Sequence, residues 1–352
     1  MLKGNKGEWS EIYTFVYLLT SGKLYAADKD LNINPDIYFP IIKIIREETA
    51  GEQYDYCTGP FIKIYLNGEL VKEISREKFD EIRQVLLDKI PQGQRAFEIQ
   101  EVEEFFNSIN CTKLKANSSK KQDITIKIHD INTGFSPICG FSIKSYIGSN
   151  PTLVNAGTNT NFIYTIKGCT DEVMNTVNSI DTRTKINDRM EYLSDYELVP
   201  VNYYFSGRFK ENLEFIDTIM PKFLSFMVLY SYKFNLKNSA DIIAKMRELN
   251  PLGFSNPKMY DYKYKKFLCA MALGMTPEKD WEGQEDASGG YIVVKKDGDV
   301  VCYHIYNRED FEQYLFDYTF FDRASTSRHG FMSVYKENSE YKINLNLQIR
   351  FR

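Results

Sequence analysis

The sequence predicts an α/β (α+β) protein with a mixed β-sheet core flanked by helices, a helical middle region and a β-rich C-terminal region. Three observations carry this. Residues 123–129 alternate strictly, with Ile124, Ile126 and Ile128 on one side and Asp123, Thr125, Lys127 and His129 on the other, the period of two expected of a half-buried strand. After a polar break at 130–134, residues 140–147 form a second such strand, with Phe141, Ile143 and Ile147 opposed to Ser142, Lys144 and Tyr146. Between residues 171 and 275 the apolar residues recur at helical spacing instead, and after 289 alternation returns around an Asp297-Gly298 turn.

In chain order, Gly4-Asn5-Lys6-Gly7 opens a helix whose apolar face is Trp9, Ile12, Tyr13, Val16 and Leu19, with Gly22 as its stop. Strands follow at 23–27 and 41–46. A hairpin is expected at 61–74, because Asn67-Gly68 suits the two positive φ angles of a type I′ turn. Helices are expected at 76–89 and 98–108, and the polar segment 115–122 connects them to the 123–147 pair and could lie against a phosphate backbone. The helical middle reads as 171–180, 213–230, 239–249 and 260–275. Within it Phe215, Met220, Phe223, Phe226, Met227 and Tyr230 form a core stripe. A hairpin at 289–306, a helix at 308–316 and strands at 331–335 and 341–350 complete the chain. The domain boundary is expected near residue 170: 1–170 holds the sheet core with the N-terminal helix, and 171–352 the helical and β-rich remainder.

Composition narrows the function classes. With 44 basic against 48 acidic residues the net charge is −4, so a nucleic-acid surface has to be local. Two such stretches exist: Lys113, Lys115, Lys120, Lys121 and Lys127 around the single acid Asp123, and Arg323, Arg328, Lys336, Lys342, Arg350 and Arg352 against Glu337 and Glu340. The six cysteines form no CxxC pair, and three histidines give no zinc-ligand spacing. A polar N-terminus and the lack of a long apolar run predict a cytoplasmic protein with reduced cysteines and no membrane association.

Chemistry can be placed on the 123–147 strand pair. Folded about Thr133 and Gly134, the strands set Asp123 beside Lys144, since opposed residues of an antiparallel pair stand ~5 Å apart. A carboxylate for Mg²⁺ and a lysine near the attacking water are the minimum for in-line hydrolysis of a phosphodiester. The plain alternative is a surface hairpin with an ordinary Asp–Lys pair. Glu8 and Glu11, three apart in the first helix, complement its dipole or supply a further metal carboxylate. Asn155, Thr158, Asn159, Thr160 and Asn161 are ordinary turn residues, or donors and acceptors aimed at phosphates and base edges.

Seven segments, read together, resemble a known family: KGNKGEWSE at 3–11, GKLYAAD at 22–28, GFSIKSYIG at 140–148, TLVNAGTNTNF at 152–162, GGYIVVKKDGDVVCYHIYNR at 289–308, STSRHG at 325–330 and NLNLQIRF at 344–351. In this order, and over nearly the whole chain, they are similar to the HpaII-type type II restriction endonucleases, within the nucleases that share a D…(D/E)xK hairpin. The resemblance implies a restriction-endonuclease-like core, double-stranded DNA as substrate, Mg²⁺ as cofactor and cleavage at a short palindrome, CCGG for the family's namesake. It also implies a cognate DNA methyltransferase as genetic companion and is compatible with a homodimer on the DNA.

Carried over, Asp123 stands at the metal-binding aspartate and Lys144 at the lysine of the (D/E)xK element. Ser142 departs from the pattern, because it replaces the usual acid and adds no negative charge. The missing carboxylate is then expected from Glu8 or Glu11, with Glu8 preferred, which makes Asp123 and Glu8 the expected metal ligands. Arg323, Ser325, Ser327, Arg328 and His329 form a polar loop suited to guanine O6 and N7, with Asn155, Thr158, Asn159 and Asn161 as the second set. The rival reading is a DNA-binding module on a nuclease-like scaffold that has lost catalysis.

Overall fold

A computed structural model describes residues 2–115, 122–201 and 207–352. Lys120 and Lys121, with most of the expected phosphate-facing segment, lie outside these residues. The described chain divides into two compact units: residues 1–151, 272–274 and 285–314, and residues 152–271, 275–284 and 315–352. The chain therefore crosses between units several times, where a single boundary near 170 was expected.

The first unit is built on helix α1 (Lys6–Ser21) and a nine-stranded sheet. Asn5 caps α1 by accepting the Gly7 and Glu8 N–H groups, Glu8 returns a carboxylate oxygen to the Asn5 N–H at 2.8 Å, and Gly22 at φ 67° ends the helix in the left-handed conformation. These are the two local signals, a capping box and a C-terminal glycine, that fix where a helix starts and stops. Trp9, Ile12, Tyr13, Val16 and Leu19 are all buried. Each such side chain contributes roughly 1.5–3 kcal/mol by leaving water.

The strands of the sheet in chain order are β1 (Lys23–Ala27), β2 (Ile33–Thr49), β3 (Glu52–Cys57), β4 (Phe61–Leu66), β5 (Glu69–Ser75), β6 (Ile124–Ile128), β7 (Ile138–Ser145), β8 (Gly290–Val294) and β9 (Val300–His304). Their spatial order is β1-β9-β8-β7-β6-β2-β3-β4-β5, and β1 also pairs with β2, so six strands close into a ring. β6 and β7 thus occupy the middle of the sheet, and a surface hairpin is excluded. β7 runs antiparallel to β6 and parallel to β8, which makes the sheet mixed. Asn67 at φ 49° and Gly68 at φ 94° make the expected turn between β4 and β5. The 98–108 helix is shorter than expected, a turn at Gln100–Val102 followed by Glu103–Ser108. Tyr13 donates to the Gly298 carbonyl at 2.6 Å, tying α1 to the loop joining β8 and β9.

The second unit holds a four-stranded and a three-stranded sheet with helices. The single helix expected at 213–230 is two, Gly207–Ile216 and Met220–Lys233. Asp217 accepts the Ile219 N–H at 3.0 Å and Pro221 opens the second helix, so the chain is capped and restarted there. The break leaves Phe215 of the expected core stripe 60% exposed, while Met220, Phe223 and Met227 are buried. The helix Lys185–Tyr192 and the strand Glu197–Pro200 carried no clear sequence signal. Among the described residues no helix is long and apolar enough to cross a membrane.

Candidate active site

Asp123 sits just ahead of β6, and its N–H donates to the Phe141 carbonyl at 2.9 Å, so the residue extends the ladder with β7. The paired residues, Ile124 with Phe141 through Lys127 with Ile138, place Ser142 opposite Asp123 and put Lys144 one step further along the same face. The expected Asp123–Lys144 register is therefore corrected by two residues. A shift of two preserves the face of every side chain, because strand side chains alternate. The cause lies in the connection. Asp130 accepts the Asn132 N–H at 2.9 Å, the Thr133 hydroxyl at 2.7 Å and the Tyr306 hydroxyl at 2.6 Å, making a structured loop where a tight turn about 133–134 was expected. These hydrogen bonds hold the Asp130 carboxyl well down, at about 2.

One carboxylate oxygen of Asp123 accepts the Ile143 N–H at 2.8 Å and the Ser142 hydroxyl at 3.3 Å, and Lys115 Nζ lies 3.6 Å from the other oxygen. Ser142 is buried, while Asp123 and Lys144 are half-buried. Ser142 thus acts as a donor that fixes Asp123.

α1 packs Trp9, Ile12 and Val16 into the same core as Ile124, Ile126, Phe141 and Ile143. That packing delivers Glu11 to the site. Its pKa is raised to about 8, first by burial and then by the negative charge of Asp123, with Lys115 and Lys144 opposing and Glu8 adding to the rise. Glu11 Oε2 is buried and has no hydrogen-bond partner among the described residues. Glu8, the carboxylate preferred from sequence, is instead engaged in the capping box. Lys115 was not singled out as a site residue, and only its place in a lysine-rich stretch could have suggested it.

Among the described residues no group of three or more His, Cys, Asp or Glu side chains is arranged to hold a metal. Asp123 and, more weakly, Glu8 act electrostatically on Glu11. A buried carboxylate oxygen with no donor among the described residues, within electrostatic reach of a second carboxylate, fits a hard divalent cation, which takes one or two carboxylates and fills its other positions with water and phosphate oxygens.

The sequence-predicted DNA-contacting residues all lie in the second unit. Asn155, Thr158, Ser327 and Arg328 are exposed, and Asn159, Ser325 and His329 are half-buried. Ser325 and Ser327 share a hydrogen bond of 3.2 Å. Asn161 is turned inward: its amide donates to the His329 carbonyl at 2.8 Å and its oxygen accepts from Asn346 at 2.7 Å, so it joins the 155–161 and 323–330 segments. Arg323 is turned inward too. It lies 4.0 Å from the Tyr232 ring centre and donates to the Ser231 carbonyl at 2.8 Å, and burial lowers its pKa.

The family model described as HpaII restriction endonuclease matches residues 5–351. A curated relative, the type II restriction enzyme HpaII of Haemophilus parainfluenzae, is 41% identical over 357 residues, covering 99% of this chain and 98% of the relative. No solved structure matches. A match of that extent spans both units, and the chain belongs to the HpaII restriction endonuclease family.

Proposed function

We propose that this restriction endonuclease cleaves double-stranded DNA at a short palindrome, CCGG-like as in the family's namesake, by Mg²⁺-dependent hydrolysis of the phosphodiester, using Asp123, Glu11 and Lys144. The observation that carries the reading is the buried, partnerless oxygen of Glu11 beside Asp123. Asp123 and Glu11 would hold the cation. When bound, it neutralises charge on the phosphate and makes water a better nucleophile.

The protein's own groups do the positioning. The Ile143 N–H and the Ser142 hydroxyl hold the Asp123 carboxylate in one rotamer. Lys144, two residues along the face from Ser142, presents an ammonium that orients the attacking water and offsets charge developing on the phosphate. Glu8 supports this by fixing the start of α1, the helix that carries Glu11. A palindromic target fits a homodimer on DNA, and a methyltransferase of the same specificity would protect the host.

Incubating the protein with plasmid DNA in Mg²⁺ and then in EDTA tests the reading. Discrete fragments that vanish with EDTA support it, and sequencing their ends gives the recognised site. A gel shift with no cutting in Mg²⁺ would leave only the DNA-binding alternative.

A further inference from the structure

The second unit carries a groove of about 420 Å³ between the segments 183–187 and 323–327, and its charged lining is Arg183, Lys185, Lys237 and Arg323 with no carboxylate. In a protein with more acids than bases, such a one-signed lining is a local exception. Of the neighbouring acids, Asp181 pairs with Lys185 of the lining itself at 2.8 Å, whereas Asp322 is turned to Arg350 at 3.2 Å and Asp188 accepts the hydroxyls of Thr182 and Thr184. Arg183 and Lys237 are exposed and take no ion-pair partner among the described residues.

Arg323 forms the floor. With Nη2 on the Ser231 carbonyl, its Nε and Nη1 are buried without a hydrogen-bond partner, so its charge is fixed and lacks a bonded counter-ion.

We propose that this groove binds the DNA backbone, contacting phosphates without reading bases. The inference rests on duplex DNA being the substrate. It also revises the expected role of Arg323: a guanidinium held 4.0 Å from the Tyr232 ring centre, with Nη2 on the Ser231 carbonyl, is not free to make a bidentate contact with guanine, whereas a fixed charge in one groove with exposed Arg183 and Lys237 suits a diffuse anionic strand.

The test compares the full-length wild type with the double variant R183Q/K237Q, whose two positions are exposed, and with a control pair, K258Q/K296Q, that loses the same charge at exposed sites elsewhere. Binding to a CCGG duplex and to the same duplex with the site scrambled is measured in EDTA across a salt series. In R183Q/K237Q the affinity for both duplexes should fall by the same factor, roughly ten- to thirty-fold at physiological salt. The slope of log affinity against log salt should lose about 1.8, or ~0.9 for each of two phosphate contacts. The control should keep the wild-type slope. An unchanged slope in R183Q/K237Q, an equal loss in the control, or a loss confined to the CCGG duplex overturns the proposal. Wild type that binds neither duplex sinks it together with the DNA reading, and wild type that binds but never cuts plasmid in Mg²⁺ sinks only the cleavage reading.

Discussion

Ser142, and not Lys144, stands across the sheet from Asp123, and its hydroxyl donates to Asp123 Oδ2 at 3.3 Å. Ser142 thus supplies a neutral donor to the carboxylate. Removing it costs one long hydrogen bond and leaves the stronger Ile143 N–H contact in place. Ser142→Ala should therefore lower stability by about 1 kcal/mol and slow cleavage only several-fold. Urea titration and a plasmid time course check both, and a complete loss of cutting would show that Ser142 does more than orient Asp123.

On the proposed mechanism Asp123→Asn and Lys144→Ala each remove a charge that acts on the reacting phosphate, and each should reduce cleavage by at least about 10²–10³-fold. Neither side chain lies in the second unit, where the expected DNA contacts cluster, so binding of duplex DNA should persist. Single-turnover cleavage alongside gel-shift titration separates the two effects, and near wild-type cutting by either variant removes that residue from the site.

Glu8 and Glu11 give opposite expectations. Glu8→Gln preserves a capping box, since glutamine also serves at that position, and should stay within a few-fold of wild-type cleavage. Glu11→Gln removes a carboxylate facing Asp123 and should abolish Mg²⁺-dependent cutting. In EDTA the same variant should be more stable than wild type. The folded pKa of Glu11, about 8, lies above its ordinary 4.5, so between those values the native state binds more protons than the unfolded chain and loses stability as pH rises. The advantage of Glu11→Gln in EDTA should accordingly grow from pH 5 to pH 8, toward a few kcal/mol, as read from urea midpoints. A wild type that matches the variant at pH 8 contradicts this.

His304 gives a pH effect of the opposite sign. Burial lowers its pKa to about 4 from 6.5, Asp130 opposes the shift only in part, and its Nδ1 has no partner. Between pH 6.5 and 4 the unfolded chain takes up the proton first, so stability falls as the solution is acidified through that window and the loss levels off below it. The contribution is at most about 3 kcal/mol. His304→Gln should flatten the dependence in thermal melts recorded from pH 7 to pH 4.5, and an unchanged slope would mean that other groups govern it.

Much of the framework was legible because its signals are local. Asn5 with Glu8 and the following Gly22 bound α1, Asn67-Gly68 makes its hairpin, and the Ile124–Ile126–Ile128 alternation marks β6. The pairing of β6 with β7 was legible as to face but not as to register, because hydrogen bonds to Asp130 shape the intervening loop and one of them comes from Tyr306, far along the chain. The choice between Glu8 and Glu11 was not legible, because both lie in the opening turns of one helix and only packing decides which faces the sheet. The groove at Arg183 and Lys237 was missed for the same reason: its charges are spread over distant segments.

By itself the sequence determined α1, the 61–74 hairpin, the apolar faces of the 123–147 strands and the likeness to the HpaII-type family, since periodicity, capping and turn chemistry act over a few residues. Tertiary structure alone decided that Ser142 opposes Asp123, that Glu11 is buried within electrostatic reach of Asp123, and that Arg323 lies on Tyr232. Those outcomes depend on strand register and on the burial of charge, both fixed by contacts between residues far apart in the chain.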